Sequence, residues 1–217
     1  MDVVCLDFEG ILVPEIWIHV AERSGIAALR ATTRDVPDYD ALMRQRLRIL
    51  REHGIRLADI QEVVAGMRPL EGAPAFLAWL RERFQVVLVS DTFYEFAMPL
   101  LRQLGYPMLL CHRIERDSGG FLSGYRLRQK DSKRMAVVAF HRLNYRVIAV
   151  GDSYNDTTML AEADVGLLFR PPPNVAAEFP QFPIVQDYDA LQRALLDADE
   201  RKEYCQEMTA TRGLPGS

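Results

Sequence analysis

Two short apolar runs that end abruptly in acid constrain this chain most. Val3-Val4-Cys5-Leu6 leads into Asp7-Phe8-Glu9-Gly10, and Val147-Ile148-Ala149-Val150 leads into Gly151-Asp152-Ser153-Tyr154-Asn155-Asp156. Runs that brief and rich in β-branched residues suit strands covered on both faces of a parallel sheet, where no polar alternation is needed. In open sheets of this kind ligands bind beyond the carboxyl ends of the strands. If the two strands are near one another, Asp7, Asp152 and Asp156 share one pocket, and their mutual repulsion raises their pKa values unless a cation enters. Carboxylates, water and phosphate oxygens together describe a Mg2+ site, whereas the absence of clustered His and Cys argues against zinc.

The chain has 217 residues, 49% of them hydrophobic, enough to bury a full core and carry an insertion. A formal net charge of −4 leaves no electrostatic footprint for nucleic acid. No apolar run is long enough to span a bilayer, and the N-terminus opens on an acidic residue and a core strand rather than a basic, cleavable leader. A cytoplasmic protein acting on a small metabolite is the expectation, with neither nucleic acid nor membrane as partner and a homodimer as the candidate assembly. Cys5, Cys111 and Cys205 are odd in number and far apart, which reads as reduced thiols rather than a disulfide framework. His19, His53, His112 and His141 show no metal-ligand spacing and read as surface or packing residues.

Residues 15–67 contain no convincing strand. Ile16, Val20, Ile26 and Leu29, then Leu42, Leu47, Ile49 and Leu50, then Leu57, Ile60, Val63 and Val64 recur at helical spacing. Asp35-Val36-Pro37-Asp38 and His53-Gly54 break this stretch into at least three helices, and Arg68-Pro69-Leu70-Glu71-Gly72 ends it. Beyond it strands and helices alternate: a helix near 73–83, a strand Val86–Val89, a helix near 94–104 and a strand at Met108–Leu110. A hairpin turning at Asp117-Ser118-Gly119-Gly120 follows. Then come a helix near 133–143, the strand 147–150, a helix near 155–163, a strand Val165–Leu168, a loop at Pro171-Pro172-Pro173 and a helix near 189–198. The pattern predicts an α/β fold: a Rossmann-like, doubly wound parallel sheet from residues 1–14 and 68–200, a small helical cap from 15–67 inserted after the first strand, and a polar, frayed tail from 201–217.

In Asp7-Phe8-Glu9 two carboxylates stand two positions apart, with the phenylalanine pointing elsewhere while the chain stays extended. Asp7 suits a nucleophile, because attack of its carboxylate on phosphorus divides hydrolysis into two easier steps through an aspartyl-phosphate. Glu9 suits the acid that protonates the leaving oxygen and later takes a proton from water. The same pair also fits a helix N-cap and a solvated charge. Ser90-Asp91-Thr92 offers a hydroxyl and backbone N–H groups to phosphate oxygens, or else an ordinary N-cap. Lys130 and Lys133 compete as the balancing cation. Ala136, Val137, Phe140 and Leu143 follow Lys133 at helical spacing, which sets Lys133 in a first turn facing the sheet edge. After Gly151, Asp152 suits a direct metal ligand, Asn155 a donor to substrate, and Asp156 a residue that orients bound water or Lys133 from just outside the ligands.

Four strand-end motifs in this order resemble the haloacid dehalogenase superfamily of phosphotransferases, over nearly the whole chain. The insertion directly after the first motif is similar to the cap of its phosphoserine phosphatase subgroup. One departure stands out: that family usually carries Asp where Glu9 stands here, one methylene longer. Pro14-Glu15-Ile16-Trp17 and Gln45-Arg46-Leu47-Arg48-Ile49-Leu50 look like the subgroup's segments for the substrate's ammonium and carboxylate, which assigns those roles to Glu15 and Arg46. With Ser90-Asp91-Thr92-Phe93-Tyr94-Glu95-Phe96, the set is closer still to the bifunctional phosphoserine phosphatase/homoserine phosphotransferase family. The resemblance implies Mg2+ held by Asp7, Glu9 and Asp152, catalysis by Asp7, Glu9 and Lys133, substrate contacts from Glu15, Arg46, Ser90, Asp91 and Asn155, and phosphoserine and homoserine as substrates. A phosphatase for another small phosphomonoester and a non-catalytic binding protein on the same fold are the alternatives. No Gly-rich loop followed by Lys-Ser or Lys-Thr supports an ATP-dependent kinase.

Overall fold

The first strand, β1 (Asp2–Leu6), lies in the middle of a seven-stranded sheet in the computed structural model, which describes residues 1–32, 36 and 38–199. Helices α1 (Ile16–Ser24), α2 (Tyr39–Glu52) and α3 (Leu57–Gly66) follow it, with a 3-10 turn at Ala27–Arg30. The chain then alternates through α4 (Ala73–Arg81), β2 (Gln85–Phe93), α5 (Tyr94–Gln103), β3 (Leu109–Arg116), β4 (Leu122–Arg126), α6 (Ser132–Arg142) and β5 (Arg146–Gly151). It finishes with α7 (Thr157–Glu162), β6 (Val165–Phe169), α8 (Pro173–Glu178), β7 (Ile184–Val185) and a helix, α9, over 188–199. The strand order is β4-β3-β2-β1-β5-β6-β7, parallel throughout except for β4. Leu6 stands opposite Leu88 of β2 and Val150 of β5, so the acidic turns after β1 and β5 leave the sheet side by side.

Apolar runs without alternation are explained by burial on both faces. Val4 and Leu6 pack into the cluster that includes Phe76 and Leu80 of α4, Phe96 of α5 and Leu191 of α9. Val3 and Cys5 face the opposite way, toward Ala136 and Val137 of α6 and Met159 and Leu160 of α7. The period of two along a strand thus feeds two cores from one segment. Cys5 is a packing residue; burial pushes its thiol up to about 12, far from nucleophilic character. Cys111 is likewise buried, and Cys205 lies outside the described residues.

Several boundaries differ from the sequence reading, each for a tertiary reason. β2 continues to Phe93, so Ser90-Asp91-Thr92 is strand, and the N-cap of α5 is Phe93, with no side-chain cap bond. β3 runs to Arg116 because it changes partner, pairing parallel with β2 and then antiparallel with β4. The hairpin turn forms at Asp117–Gly120, where the Gly120 N–H donates to the Asp117 carbonyl at 3.0 Å. Pro173 is the first residue of α8 rather than loop, a position where the missing N–H costs nothing. The helix expected near 155–163 opens with a 3-10 turn at Tyr154–Asp156. In the expected break before α2, Asp35 and Pro37 lie outside the described residues, as does the tail from 200; Asp38 is the N-cap of α2 and accepts the Ala41 N–H at 2.7 Å.

The helical segment α1–α3 is closed at its base, where the Leu70 N–H donates to the Leu12 carbonyl at 2.9 Å. Its Trp17 meets Phe96 of α5 edge-on, with ring centroids 5.5 Å apart. Among the described residues no helix is long and apolar enough to cross a membrane.

Candidate active site

The turn after β1 is shaped by one apolar and one glycine residue. Phe8 is fully buried in the core, which turns its neighbours Asp7 and Glu9 the other way. The Asp7 N–H donates to the Val150 carbonyl at 2.9 Å, continuing the β1–β5 ladder one residue past the strand. Gly10 has φ +78°, and a Cβ there would lie 2.5 Å from Asp152 Oδ2, so only glycine lets the two acidic turns come this close.

Lys133 is 2% exposed and sits among the acids, its Nζ 3.0 Å from Asp7 Oδ1, 2.7 Å from Asp156 Oδ1 and 3.9 Å from Asp91 Oδ2. Geometry selects it over Lys130, which lines a neighbouring cavity. Asp156 is committed to protein donors: Oδ1 takes Lys133, and Oδ2 takes the N–H groups of Asp152 and Ser153, each at 3.0 Å.

One buried ammonium among several carboxylates leaves the site short of positive charge. Burial, and then the charge of Asp156, push the Asp7 carboxyl well above its ordinary range, with Lys133 pulling against them. The same two causes carry Asp152 up to about 7. Burial works against the charge on Lys133, yet Asp156, Asp7 and Asp91 together hold its pKa well above the usual value. Glu9 rises to about 8, through burial first and the charge of Glu15 second, while hydrogen bonds from the Ile16 N–H and Thr92 pull it back. Burial and the neighbouring Glu15 charge thus both favour the protonated form of Glu9.

Oxygen atoms of Asp7, Asp152 and Asp156 all lie within 4.8 Å of one another. All-carboxylate donors with unbalanced negative charge fit a hard divalent cation such as Mg2+. With Asp156 occupied by Lys133 and two N–H groups, Asp7 and Asp152 are the side chains free to hold it. The expected ligand set of Asp7, Glu9 and Asp152 leaves open whether Glu9 serves through its side chain or its backbone carbonyl, and the side chain is not in this group. The extra methylene carries the carboxylate across to the start of α1, where Oε2 accepts the Ile16 N–H at 2.7 Å.

A cavity of about 380 Å³ opens over these groups, lined also by Glu15, Trp17, Tyr39, Arg46, Ser90 and Asn155. Arg46 is 6% exposed, with its guanidinium 4.3 Å above the Trp17 ring and Nη2 donating to the Ala31 carbonyl at 2.7 Å. Its Nε is buried and has no hydrogen-bond partner among the described residues. Burial lowers its pKa to about 10, which leaves it charged at neutral pH. Glu15 precedes α1 and makes no capping bond, so its carboxylate is exposed to the same cavity.

Ser90, Asp91 and Asn155, the expected substrate contacts, all line this cavity. The Asp91 carboxylate accepts from Ser132 Oγ at 3.1 Å and from Asn155 Nδ2 at 3.0 Å, and His112 Nε2 stands 3.4 Å away. Burial alone would raise its pKa, but Lys133 and then the bonds from His112 and Asn155 hold it well below the ordinary carboxylate range. Asn155 spends one amide hydrogen on Asp91 rather than aiming its whole amide at the cavity. Ser90 is 2% exposed and its Oγ accepts the Thr92 N–H at 3.2 Å. Sequence reasoning missed His112, Ser132 and Tyr39. Tyr39 donates to the Asp91 carbonyl at 3.5 Å from the first turn of α2, and His112 arrives through strand pairing opposite Phe93. Only the helical phase of Lys133 gave any hint, since it brings Ser132 with it.

A parallel sheet with an acid cluster and one buried lysine at its carboxyl edge belongs to a known class of enzyme. The chain is a member of the haloacid dehalogenase-like hydrolases, whose family profile matches residues 1–164. Among its relatives, phosphoserine phosphatase ThrH of Pseudomonas aeruginosa is 65% identical over 201 residues, spanning 93% of this chain and 98% of that protein. A phosphoserine phosphatase of Pseudomonas syringae pv. tomato is 62% identical over 202 residues, spanning 93% of this chain and 85% of that one. A solved structure described as a phospho-aspartyl intermediate analogue of phosphoserine phosphatase superposes with a TM-score of 0.73, covering 89% of this chain and 98% of its own at 16% identity, a likeness of fold.

Proposed function

We propose that this hydrolase is a Mg2+-dependent phosphoserine phosphatase that forms a phosphoryl ester on Asp7 and also passes the group to homoserine. The observation that carries the reading is Asp7 Oδ1 held 3.0 Å from the buried Lys133 ammonium, with Asp152 across a gap that only Gly10 permits. The names of the two Pseudomonas relatives support the substrate.

Helices α1–α3 act as a cap over the cavity. The α-carboxylate of phosphoserine is gripped by Arg46, whose buried Nε has no partner among the described residues, and the ammonium is met by Glu15. Asp7 and Asp152, with Glu9 through its backbone carbonyl, would hold Mg2+, which would supply charge withdrawal from the phosphoryl oxygens. An oxygen of Asp7 attacks phosphorus as the bond to the serine oxygen breaks, and Glu9, whose protonated form is favoured by burial and the Glu15 charge, gives that oxygen its proton. Glu9, now a carboxylate, takes a proton from water as the water oxygen attacks phosphorus, and the bond to Asp7 breaks to release phosphate. Lys133 offsets the charge on Asp7 through both steps. Homoserine carries the same α-substituents, and its hydroxyl replaces water as the acceptor.

The test is transfer of labelled phosphate from phosphoserine. Wild-type protein acquires label transiently and releases inorganic phosphate only with Mg2+, with phosphohomoserine appearing when homoserine is added; Asp7→Asn acquires none. A labelled Asp7→Asn protein overturns the covalent step.

A further inference from the structure

A carboxylate beside a phosphoryl site repels the substrate, so the ionised Asp91 needs a reason to be there. Its surroundings supply one. Oδ2 accepts from Asn155 Nδ2 at 3.0 Å and lies 3.9 Å from Lys133 Nζ, and Oδ1 accepts from Ser132 Oγ at 3.1 Å. Ser153 Oγ donates to the Asn155 carbonyl oxygen, which fixes the amide with its NH2 toward Asp91. An amide nitrogen has two hydrogens; with one held by Asp91, the second is directed by geometry and not by chance rotation.

Asp91 is itself held. His112 is 3% exposed and stands where β3 leaves β2 for β4, with Phe93 opposite on one side and the Arg113–Arg126 pair next on the other. The Arg128 backbone N–H donates to His112 Nδ1 at 3.1 Å, so a neutral ring carries its hydrogen on Nε2, which faces Asp91 Oδ1 at 3.4 Å. The Arg128 guanidinium also donates to the Ser132 carbonyl at 2.5 Å, tying the base of the hairpin to the first turn of α6.

We propose that His112 is a positioning residue: fixed by the Arg128 backbone, it locks the Asp91 carboxylate, which aims the Asn155 amide and the Lys133 ammonium at the phosphoryl group on Asp7. The inference rests on Asp7 being the phosphoryl acceptor but not on which ester is the substrate. Kinetics are therefore measured with para-nitrophenyl phosphate. Loss of turnover and of transient label with this ester in Asp7→Asn reports on Asp7, and the ratios between the His112 variants report on His112.

His112→Phe keeps a ring and loses the donor; it should lower kcat about tenfold with KM changed less than about twofold. His112→Gln restores a donor and should recover kcat to within about threefold of wild type. On an Asp91→Asn background His112→Phe should cost less than a further factor of about two, because its route of action is already gone. Multiplying effects in the double variant, or a glutamine variant as slow as phenylalanine, overturn the proposal. Nitrogen NMR of the wild-type ring gives a readout that needs no variant to fold: hydrogen on Nε2 is required, and hydrogen on Nδ1 alone sinks the idea.

Discussion

Arg46 is a cation whose burial is only half compensated. Nη2 reaches the Ala31 carbonyl, Nη1 the Met43 sulfur, the plane rests on Trp17, and Nε has no partner among the described residues. A ligand carboxylate completes the set, and an unpaired buried donor is costly enough that its absence should be felt only by substrates that bear one. Arg46→Ala should raise KM for phosphoserine roughly 100-fold while para-nitrophenyl phosphate turnover stays within about threefold. Equal losses on both esters would remove Arg46 from amino-acid recognition. At this scale Asp7 and Asp152 were legible because each ends an apolar run, a pattern set by local sequence. Glu9 was legible as an acid but not in its aim, since one methylene decides whether it faces the metal ligands or the Ile16 N–H. His112 was invisible: no spacing links residues 91, 112 and 128, and only strand pairing brings them together.

The β3–β4 hairpin is the element whose role outgrew its sequence. Its tip clasps the helical segment: Arg51 of α2 pairs with Asp117 at 2.5 Å, Arg51 and Arg56 both lie 5.1 Å over the Phe121 ring, and the Leu57 N–H at the start of α3 donates to the Gly120 carbonyl at 3.0 Å. Phe121→Ala removes the surface that both guanidiniums cover. Hydrogen exchange at the Leu57 amide should then accelerate about tenfold or more, with β1 amides unchanged; an unaltered Leu57 rate would show that the clasp does not depend on the ring. The turn itself was readable, because Asp117-Ser118-Gly119-Gly120 supplies turn chemistry between two strand-like segments. The reach of β2 to Phe93 was not, since Ser90-Asp91-Thr92 has the composition of a helix cap and forms an irregular stretch of strand between the β3 pairings of Val89 and Phe93.

Taken as a whole, the molecule gathers Asp7, Asp152 and Asp156 at one edge of its sheet around a single buried lysine. Folding without a cation therefore works against like-charge repulsion, and a divalent ion that binds only the folded state stabilises it by mass action. Mg2+ at about a hundredfold over its Kd is worth about 2.7 kcal/mol, which should raise Tm by about 5–10 °C in a chain of this size and be reversed by chelator. Asp152→Asn should melt no lower than wild type in the absence of Mg2+ and show little further shift on adding it; a full shift in that variant would place the ion elsewhere. The alternation of apolar runs, helical periods and acidic turns, by itself, determined a parallel α/β sheet with its acids at the carboxyl edge, because hydrophobic period and turn chemistry are local properties of the chain. Which carboxylates meet, which one Lys133 neutralises, where Glu9 points and how the distant His112 comes to steady Asp91 were decided only by strand order and register, because those contacts join residues that share no local pattern and owe their proximity to packing alone.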